Sequence, residues 1–258
     1  MAFNKSNLPG LSLKGGLIAG ALLLLVVAIA TVFVRPSVVL DTYNVAVTRA
    51  HGASTVESRL DEFQEGASDR LRPYFDKADV VYPPAKVVMV GLKKEKELQL
   101  YAADSGEELA FIRAYPILAA SGALGPKLRQ GDRQVPEGLY TIDALNPNSR
   151  FHLSLHINYP NEFDLRQAAL EGRDDPGDNI FVHGDAVSIG CLAMGDEVAE
   201  ELFVLAALTG VDDVDIILSP VDFRTTEVPA GPRAGLPPWI EEVYAEIRTA
   251  LSRLPSPE

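Results

Sequence analysis

The sequence predicts a mixed α+β protein, mainly β with one or two packed helices, behind an N-terminal segment that spans a membrane. Three observations support this prediction. A run of uncharged residues lies near the N-terminus, stretches with strand character recur between residues 86 and 218, and other stretches show helical periodicity. The strand-like stretches follow one another at a spacing that favours an antiparallel sandwich or barrel.

The composition limits the class of protein. Of 258 residues, 47% are hydrophobic and 23% are charged, which fits one globular domain with accessory segments. The 36 acidic and 23 basic residues give a net charge of −13, which repels phosphate backbones and argues against nucleic-acid binding. A single cysteine excludes an internal disulfide and a multi-cysteine metal centre.

Residues 15–34 are the predicted membrane anchor, because they carry no charge. A helix of this length is about 30 Å long, which matches the hydrocarbon core of a bilayer. Lys5 and Lys14 precede it, so residues 1–14 are expected in the cytoplasm and the rest of the chain on the other side of the membrane. The alternative is a signal peptide, cleaved at the small-x-small pattern of residues 28–30 and releasing the domain into the periplasm.

The juxtamembrane segment, residues 35–84, contains a predicted amphipathic helix. Ser54 and Glu57 have the spacing of a capping box, and apolar residues then recur at helical intervals to Pro73 or slightly beyond. This helix is expected either to pack against the following domain or to hold that domain away from the bilayer. A proline pair ends the segment.

The main domain is expected over residues 85–224. Its stretches with strand character, separated by glycine and proline turns, are residues 86–90, 97–101, 111–115, 139–143, 151–155 and 214–218. A helix is predicted over residues 196–208, where apolar residues share one face and acidic residues at the start suit the helix dipole. Residues 225–258 are predicted to form a proline-rich linker and a terminal helix over residues 238–254.

The stretch from Phe181 to Met194 concentrates the reactive residue types. It contains Cys191 and His183, and a thiol beside an imidazole base is the usual arrangement of a cysteine nucleophile. Gly190 permits a sharp bend beside Cys191, and the N–H groups of these two residues are candidates to stabilise an oxyanion. The alternative is a buried structural thiol and a loop histidine without a chemical role.

This stretch resembles the signature of the L,D-transpeptidase catalytic family, in which His-Gly precedes a Ser-x-Gly-Cys motif. Here residues 183–191 form the motif, and its short gap is most similar to the YafK-like branch of the family. Upstream blocks agree with that branch: residues 115–117, 121–127, 131–138, 148–155 and 159–164. The resemblance covers roughly residues 83–224 and implies the YkuD-like fold for that part of the chain.

By that resemblance, Cys191 is a nucleophile that forms a thioester with a peptidoglycan stem peptide, and His183 takes up the thiol proton. Gly190, Ser188 and Gly184 match positions that form the oxyanion turn or orient the site. An amine acceptor gives transpeptidation. Water gives hydrolysis, so a hydrolase or amidase that cleaves stem-peptide or protein–peptidoglycan links is the alternative. An inactive wall-binding scaffold is the second alternative, and no cofactor is implied.

Two positions depart from the common family motif. Ile189 stands where a histidine usually precedes Gly-Cys, and Ala193 stands where an arginine usually follows the cysteine. Both substitutions are typical of the YafK-like branch. They leave the substrate preference open, and a wall-attached protein is one candidate substrate.

His152, Lys127 and Arg133 are further candidates for substrate binding. Lys127 and Arg133 belong to a basic cluster in an acidic protein and are candidates to meet stem-peptide carboxylates, while plain surface charge is the alternative. His152, His156 and His183 offer the ligands of a three-histidine zinc site. Because no carboxylate stands at a characteristic spacing from them, we expect no metal.

Overall fold

A mixed sheet of nine strands lies at the centre of the computed structural model, which describes residues 53–257 apart from residues 189 and 230–234. The strands are β1 (Lys86–Leu92), β2 (Glu97–Ala103), β3 (Ala110–Pro116), β4 (Ala119–Ala120), β5 (Gly138–Ser149), β6 (His152–Ile157), β7 (Ile180–His183), β8 (Leu192–Ala193) and β9 (Val214–Ser219). They lie in the order β3-β2-β1-β9-β5-β6-β7-β8-β4. The described helices are α1 (Val56–Ala78), α2 (Glu162–Leu170), α3 (Asp196–Thr209) and α4 (Ile240–Leu251), with a 3-10 turn over Val211–Asp213.

Strand β5 divides the sheet into two halves. Its first residues pair with β9 and its later residues pair with β6, both antiparallel. We call β1, β2, β3 and β9 the long-strand half, and β6, β7, β8 and β4 the short-strand half. Two parallel pairs, β1 with β9 and β7 with β8, interrupt the antiparallel pattern.

Helices cover both faces of the long-strand half. Along β1, Val87 and Met89 pack into the cluster that contains buried residues of α1 and α3, whereas Val88 and Val90 pack into a second cluster with α4. A strand with both faces buried needs apolar residues at nearly every position. This burial explains why β1 is an unbroken apolar run in the sequence.

The structure confirms the mixed α+β class, with differences in detail. The strands predicted for a sandwich or barrel form one mixed sheet, a half-barrel, in which the twelve residues of β5 pair first with β9 and then with β6. The structure describes four helices, and α1, α3 and α4 correspond to the helices predicted in the juxtamembrane segment, over residues 196–208 and over residues 238–254. The unpredicted one, α2, is short and mostly polar, and its only strong local signal is the capping box between Asn161 and Asp164.

Helix α1 begins one residue later than the Ser54–Glu57 pattern predicts. Thr55 is the N-cap: its hydroxyl accepts a hydrogen bond from the Ser58 N–H, and the Ser58 hydroxyl accepts one from the Thr55 N–H. The Ser54 backbone is bonded instead to Asn148 at the end of β5. This contact joins residues far apart in sequence and is invisible to a local pattern.

The same helix packs against the domain along its length. It continues through Pro73 to Ala78, and its Leu71 and Phe75 side chains are fully buried. Arg70 pairs with Glu201 of α3 at 2.8 Å. Residues from Ser54 onward therefore form one compact unit with the sheet.

The predicted anchor over residues 15–34, and the cleavage site proposed as its alternative, lie outside the described residues. In the part of the chain that the structure describes, no helix has the length and apolar character needed to cross a membrane.

Candidate active site

Strands β7 and β8 place His183 and Cys191 on the same face of the sheet. The two strands are parallel, and His183 lies opposite Ala193. Continuing this register by one residue sets Cys191 beside Phe181, and alternate residues of a strand share a face. The predicted base, at the end of β7, and the predicted nucleophile, directly before β8, are therefore diagonal neighbours, although seven residues separate them in sequence.

The imidazole of His183 is buried and fixed by its neighbours. Its Nδ1 lies 2.6 Å from the Gly184 carbonyl oxygen, so Nδ1 carries the proton and Nε2 is the acceptor nitrogen. The Phe151 ring stacks on it with centroids 4.6 Å apart and an interplanar angle of 26°. Burial lowers the pKa of His183, and the Gly184 carbonyl and the Asp185 charge oppose this effect only in part. A neutral imidazole results, as a general base requires.

The surroundings of the Cys191 thiol favour its protonated form. Burial raises the pKa of the thiol, while the N–H of Phe181 and the positive charge of Lys127 act in the opposite direction. Sγ lies 3.7 Å from the carbonyl oxygen of Asn179. Among the described hydrogen bonds, those of Cys191 and His183 go to other groups and not to each other. The resting site is thus a neutral thiol near a neutral imidazole.

Two serines hold the turn that contains Gly190 and Cys191. The Ser188 hydroxyl donates to the Cys191 carbonyl at 2.5 Å and accepts from the Cys191 N–H at 3.1 Å. The Ser121 hydroxyl accepts from the Gly190 N–H at 2.6 Å and donates to the Arg133 carbonyl at 2.9 Å. Both N–H groups predicted for an oxyanion hole therefore point at serine oxygens in this structure.

Gly184 is required by close packing. A Cβ atom there would lie 2.6 Å from Oδ1 of Asp196 and 2.7 Å from the carbonyl oxygen of Phe151. Both distances are well below a van der Waals contact distance. The Phe151 oxygen is a backbone atom, so it cannot move aside as the end of a flexible side chain can. The glycine after His183 therefore has a steric role as well as supplying the carbonyl that orients the imidazole.

Lys127 and Arg133 lie on the loop that crosses the site between β4 and β5, but their surroundings differ. Lys127 is buried, and its Nζ donates to Oδ1 of Asp132 at 2.8 Å and to the carbonyl of Arg129 at 3.0 Å. Arg133 is exposed, and its backbone lies directly over Gly190. Only Arg133 presents its charge to solvent beside the turn.

The histidines other than His183 point to separate partners. His152 lies between α1 and α3: its Nε2 is 3.0 Å from Oε1 of Glu200, and its ring makes an edge contact with Phe63. Nδ1 of His156 is paired with Asp143. Within the described ranges, no group of three or more histidine, cysteine, aspartate or glutamate side chains is arranged to hold a metal ion.

Three residues at the site, Ser121, Phe151 and Asn179, have no role in the sequence-based prediction. Ser121 and Phe151 stand within the upstream blocks that resemble the family, and that resemblance is the signal that points to them. Their contacts with Gly190 and His183 depend on long-range folding, so no local pattern reveals them. Asn179 has no comparable signal.

Comparison with known proteins shows which family the chain resembles. The family model described as the L,D-transpeptidase catalytic domain, YkuD, matches residues 85–216. The Escherichia coli K12 protein named "Putative L,D-transpeptidase YafK" is 39% identical over 140 residues, which are 52% of this chain and 53% of that protein. The protein of the same name from strain O157:H7 gives the same values. The chain thus spans about half the length of the curated relatives it matches.

Similar solved structures include the helical cell shape determining protein Pgp2 from Campylobacter jejuni, with 20% identity, a TM-score of 0.43 and coverage of 53% of this chain and 48% of that one. Bd1075 from Bdellovibrio bacteriovorus has 23% identity and a TM-score of 0.39, covering 65% of this chain and 55% of its own. We rest the family on the matched model, which covers half of the chain and includes both His183 and Cys191. The chain therefore belongs to the L,D-transpeptidase catalytic domain family.

Proposed function

We propose that the protein is a peptidoglycan-modifying cysteine L,D-transpeptidase that acts on stem peptides through a thioester on Cys191. One observation carries the proposal: a buried, neutral His183, oriented by the Gly184 carbonyl, shares a sheet face with the chain's single thiol. Family membership supplies the substrate class, since the domain is described by its transpeptidase activity. Both residues that the chemistry needs are present, which favours an enzyme over an inactive wall-binding scaffold.

The reaction begins with proton transfer from the thiol. Rotation of the Cys191 side chain away from the Asn179 carbonyl brings Sγ within reach of Nε2 of His183, because both side chains lie on one face. Sγ then attacks the carbonyl carbon of the stem peptide. The C–S bond forms, the C–N bond breaks, and the proton on Nε2 passes to the departing amine. An incoming amine reverses these steps, and the Cys191 thiol is regenerated.

The turn at Gly190 supplies the oxyanion site in this proposal. The Gly190 and Cys191 N–H groups donate to Ser121 and Ser188 at rest. A substrate oxygen takes the place of these acceptors as negative charge develops on it. At rest the serines satisfy these two N–H groups, so both serine hydroxyls must turn away before the N–H groups can donate to the substrate oxygen.

In this proposal, the charged side chains near the Gly190 turn have two different roles. Arg133 is exposed beside Gly190, and we assign it to a carboxylate of the stem peptide. Lys127 is buried against Asp132, and its part is to favour the Cys191 thiolate. We assign no substrate contact to His152, whose ring lies between α1 and α3.

The membrane anchor predicted over residues 15–34 completes the proposal. It would hold the enzyme at the inner membrane with its active site in the periplasm, where peptidoglycan lies. Transfer of the same thioester to water would make the protein a hydrolase or amidase, and a wall-attached protein would then be a possible substrate. The two outcomes share every step up to the thioester, so only the products distinguish them.

The test uses the full chain in detergent micelles, with purified sacculi and with disaccharide tetrapeptides plus a D-amino acid. We expect mass spectrometry to show exchange of the terminal D-alanine or new cross-links. Cys191→Ala should lower turnover at least about a thousandfold, because no other group forms the thioester. Cleavage without exchange would establish the hydrolase. Full activity of Cys191→Ala would overturn the mechanism.

A further inference from the structure

The turn between β5 and β6 contacts the predicted base directly. Phe151 stacks on the His183 imidazole, and the Phe151 carbonyl oxygen is one of the atoms packed where a Gly184 side chain would be. The turn therefore touches both the imidazole and the residue whose carbonyl accepts a hydrogen bond from its Nδ1–H. Displacement of this turn would move both groups.

One end of the turn is tied to the start of α1. The Ser54 N–H donates to Oδ1 of Asn148 at 2.9 Å, and Nδ2 of Asn148 donates back to the Ser54 carbonyl at 2.8 Å. Arg59, in the first turns of the helix, donates from Nε to the Pro147 carbonyl at 3.0 Å. Three hydrogen bonds thus join the helix start to the residues that precede Phe151.

The other end of the turn is tied to α1 and α3. His152 has a φ of 69°, a left-handed conformation that is uncommon for residues other than glycine. Its ring lies 5.1 Å from that of Phe63 and its Nε2 pairs with Glu200. Glu200 in turn pairs with Arg70 at 2.9 Å. Side chains of both helices therefore hold the residue that follows Phe151.

We propose that Phe151 is a positioning residue for His183, and that α1 sets its position through the Ser54–Asn148 contact. The stacked ring keeps the imidazole in the orientation in which Nδ1 donates to Gly184 and Nε2 remains the base. This role in turnover rests on the proposed function, whereas the stacking itself does not. Helix α1 is then part of the catalytic unit and not only a spacer.

The first test compares aromatic and aliphatic variants of the full chain. Phe151→Leu should lower kcat about 10- to 100-fold and leave KM within about twofold, because a misplaced base affects the transition state and not substrate binding. Phe151→Tyr keeps the ring and should retain most of the activity. Phe163→Leu is the matched control, since Phe163 packs edge-on against Trp239 and has no contact with His183. It should leave kcat unchanged.

The second test measures the tautomer and the pKa of the His183 imidazole in the absence of substrate. Nitrogen NMR of His183, assigned with the His183→Gln variant, should show the Nδ1–H tautomer in the native chain. In Phe151→Leu we expect a mixture of tautomers and a higher pKa, because the ring gains contact with water. The charged groups around the pair are Asp185, Asp196 and Arg150, and none of them is altered.

The two readouts separate the two proposals. If the native chain does not act on peptidoglycan but Phe151→Leu changes the His183 signals as expected, the positioning role stands and the proposed function fails. If the chain is active and Phe151→Leu matches the native protein in kcat and in the imidazole spectrum, the positioning role is overturned. A loss of kcat in Phe163→Leu equal to that in Phe151→Leu would also overturn it.

Discussion

The two halves of the sheet hold their shape by different means. In the long-strand half, β1 pairs with β2 over seven residues and with β9 over six. In the short-strand half, β8 pairs with β7 over two residues and with β4 over two. There, side chains supplement the ladder: Ser121 and Ser188 bond the backbone of the turn at Gly190 and Cys191. Long backbone ladders stabilise the first half, whereas side-chain hydrogen bonds set the geometry of the turn in the second half, where the ladders beside it are short.

This difference separates stability from chemistry. A substitution in the long-strand half removes part of a large packed core, so its effect falls on the free energy of unfolding. A substitution at the turn removes one hydrogen bond among few and shifts the reactive groups by a small distance, which matters more for the rate. The predictions below test this separation.

The largest expected effect on stability is at Glu201, which is almost fully buried beside the long-strand half. Its carboxylate accepts hydrogen bonds from Arg70, Tyr115 and Arg113 at 2.8, 2.9 and 3.2 Å. Glu201→Leu should lower the unfolding free energy by about 3 kcal/mol, because it leaves the buried Tyr115 hydroxyl and the partly buried Arg113 guanidinium without this acceptor. Urea unfolding measures the loss, and the alkylation rate of Cys191 in the folded protein should not change.

Glu201→Gln provides the second variant if the leucine variant does not fold. It keeps one acceptor oxygen and should lose less, about 1–2 kcal/mol. A glutamine variant as unstable as the leucine variant would show that charge matters more here than hydrogen bonding. A change in the Cys191 alkylation rate in either variant would contradict the separation of the two halves.

A smaller effect, and one that depends on pH, is expected at Asp164, where α2 packs on β5. Burial raises the pKa of this carboxyl to about 6, although the Asn161 N–H and the Tyr140 hydroxyl partly oppose the effect. A folded-state pKa above the unfolded one adds stability at low pH, and this contribution is lost as the pH rises through about 6.

Between about pH 4 and about pH 7, the native chain should therefore lose up to about 3 kcal/mol of unfolding free energy relative to Asp164→Asn, which does not titrate there. Urea unfolding of both proteins across this range gives the difference directly. Equal pH dependence in the two proteins would show that Asp164 titrates normally in the folded state.

The smallest effect on stability is expected for a pair of serines. Ser188→Ala removes the hydroxyl that bonds both the N–H and the carbonyl of Cys191, and Ser219→Ala removes a buried hydroxyl that donates to Val221 at 2.6 Å in the long-strand half. Each should lower the unfolding free energy by about 1 kcal/mol. Only Ser188→Ala should also lower kcat, about tenfold. Equal kcat values in the two variants would show that the turn affects the rate no more than the long-strand half does.

The two halves also differ in how far the sequence predicts them. Strands β1 and β9 are visible as apolar runs because both of their faces are buried. Strands β4 and β8 have two residues each, too few for any periodicity, so the motif that singles out Cys191 does not predict the strand that follows it. Contacts such as Ser54 with Asn148 and Phe151 with His183 join distant segments. Patterns within a short window contain no information about them.

The burial of α1 determines how short a fragment can be and still keep an intact core. The interval that matches the family begins at residue 85 and ends at residue 216, within β9, a strand that lies between β1 and β5. A fragment cut at those limits would lose Leu71 and Phe75 from its core and break its central strand. The recognisable segment is thus smaller than the unit that can fold. A fragment meant to keep this core would need residues 54–258, with the junction placed before Ser54, whose backbone bonds Asn148 at the end of β5.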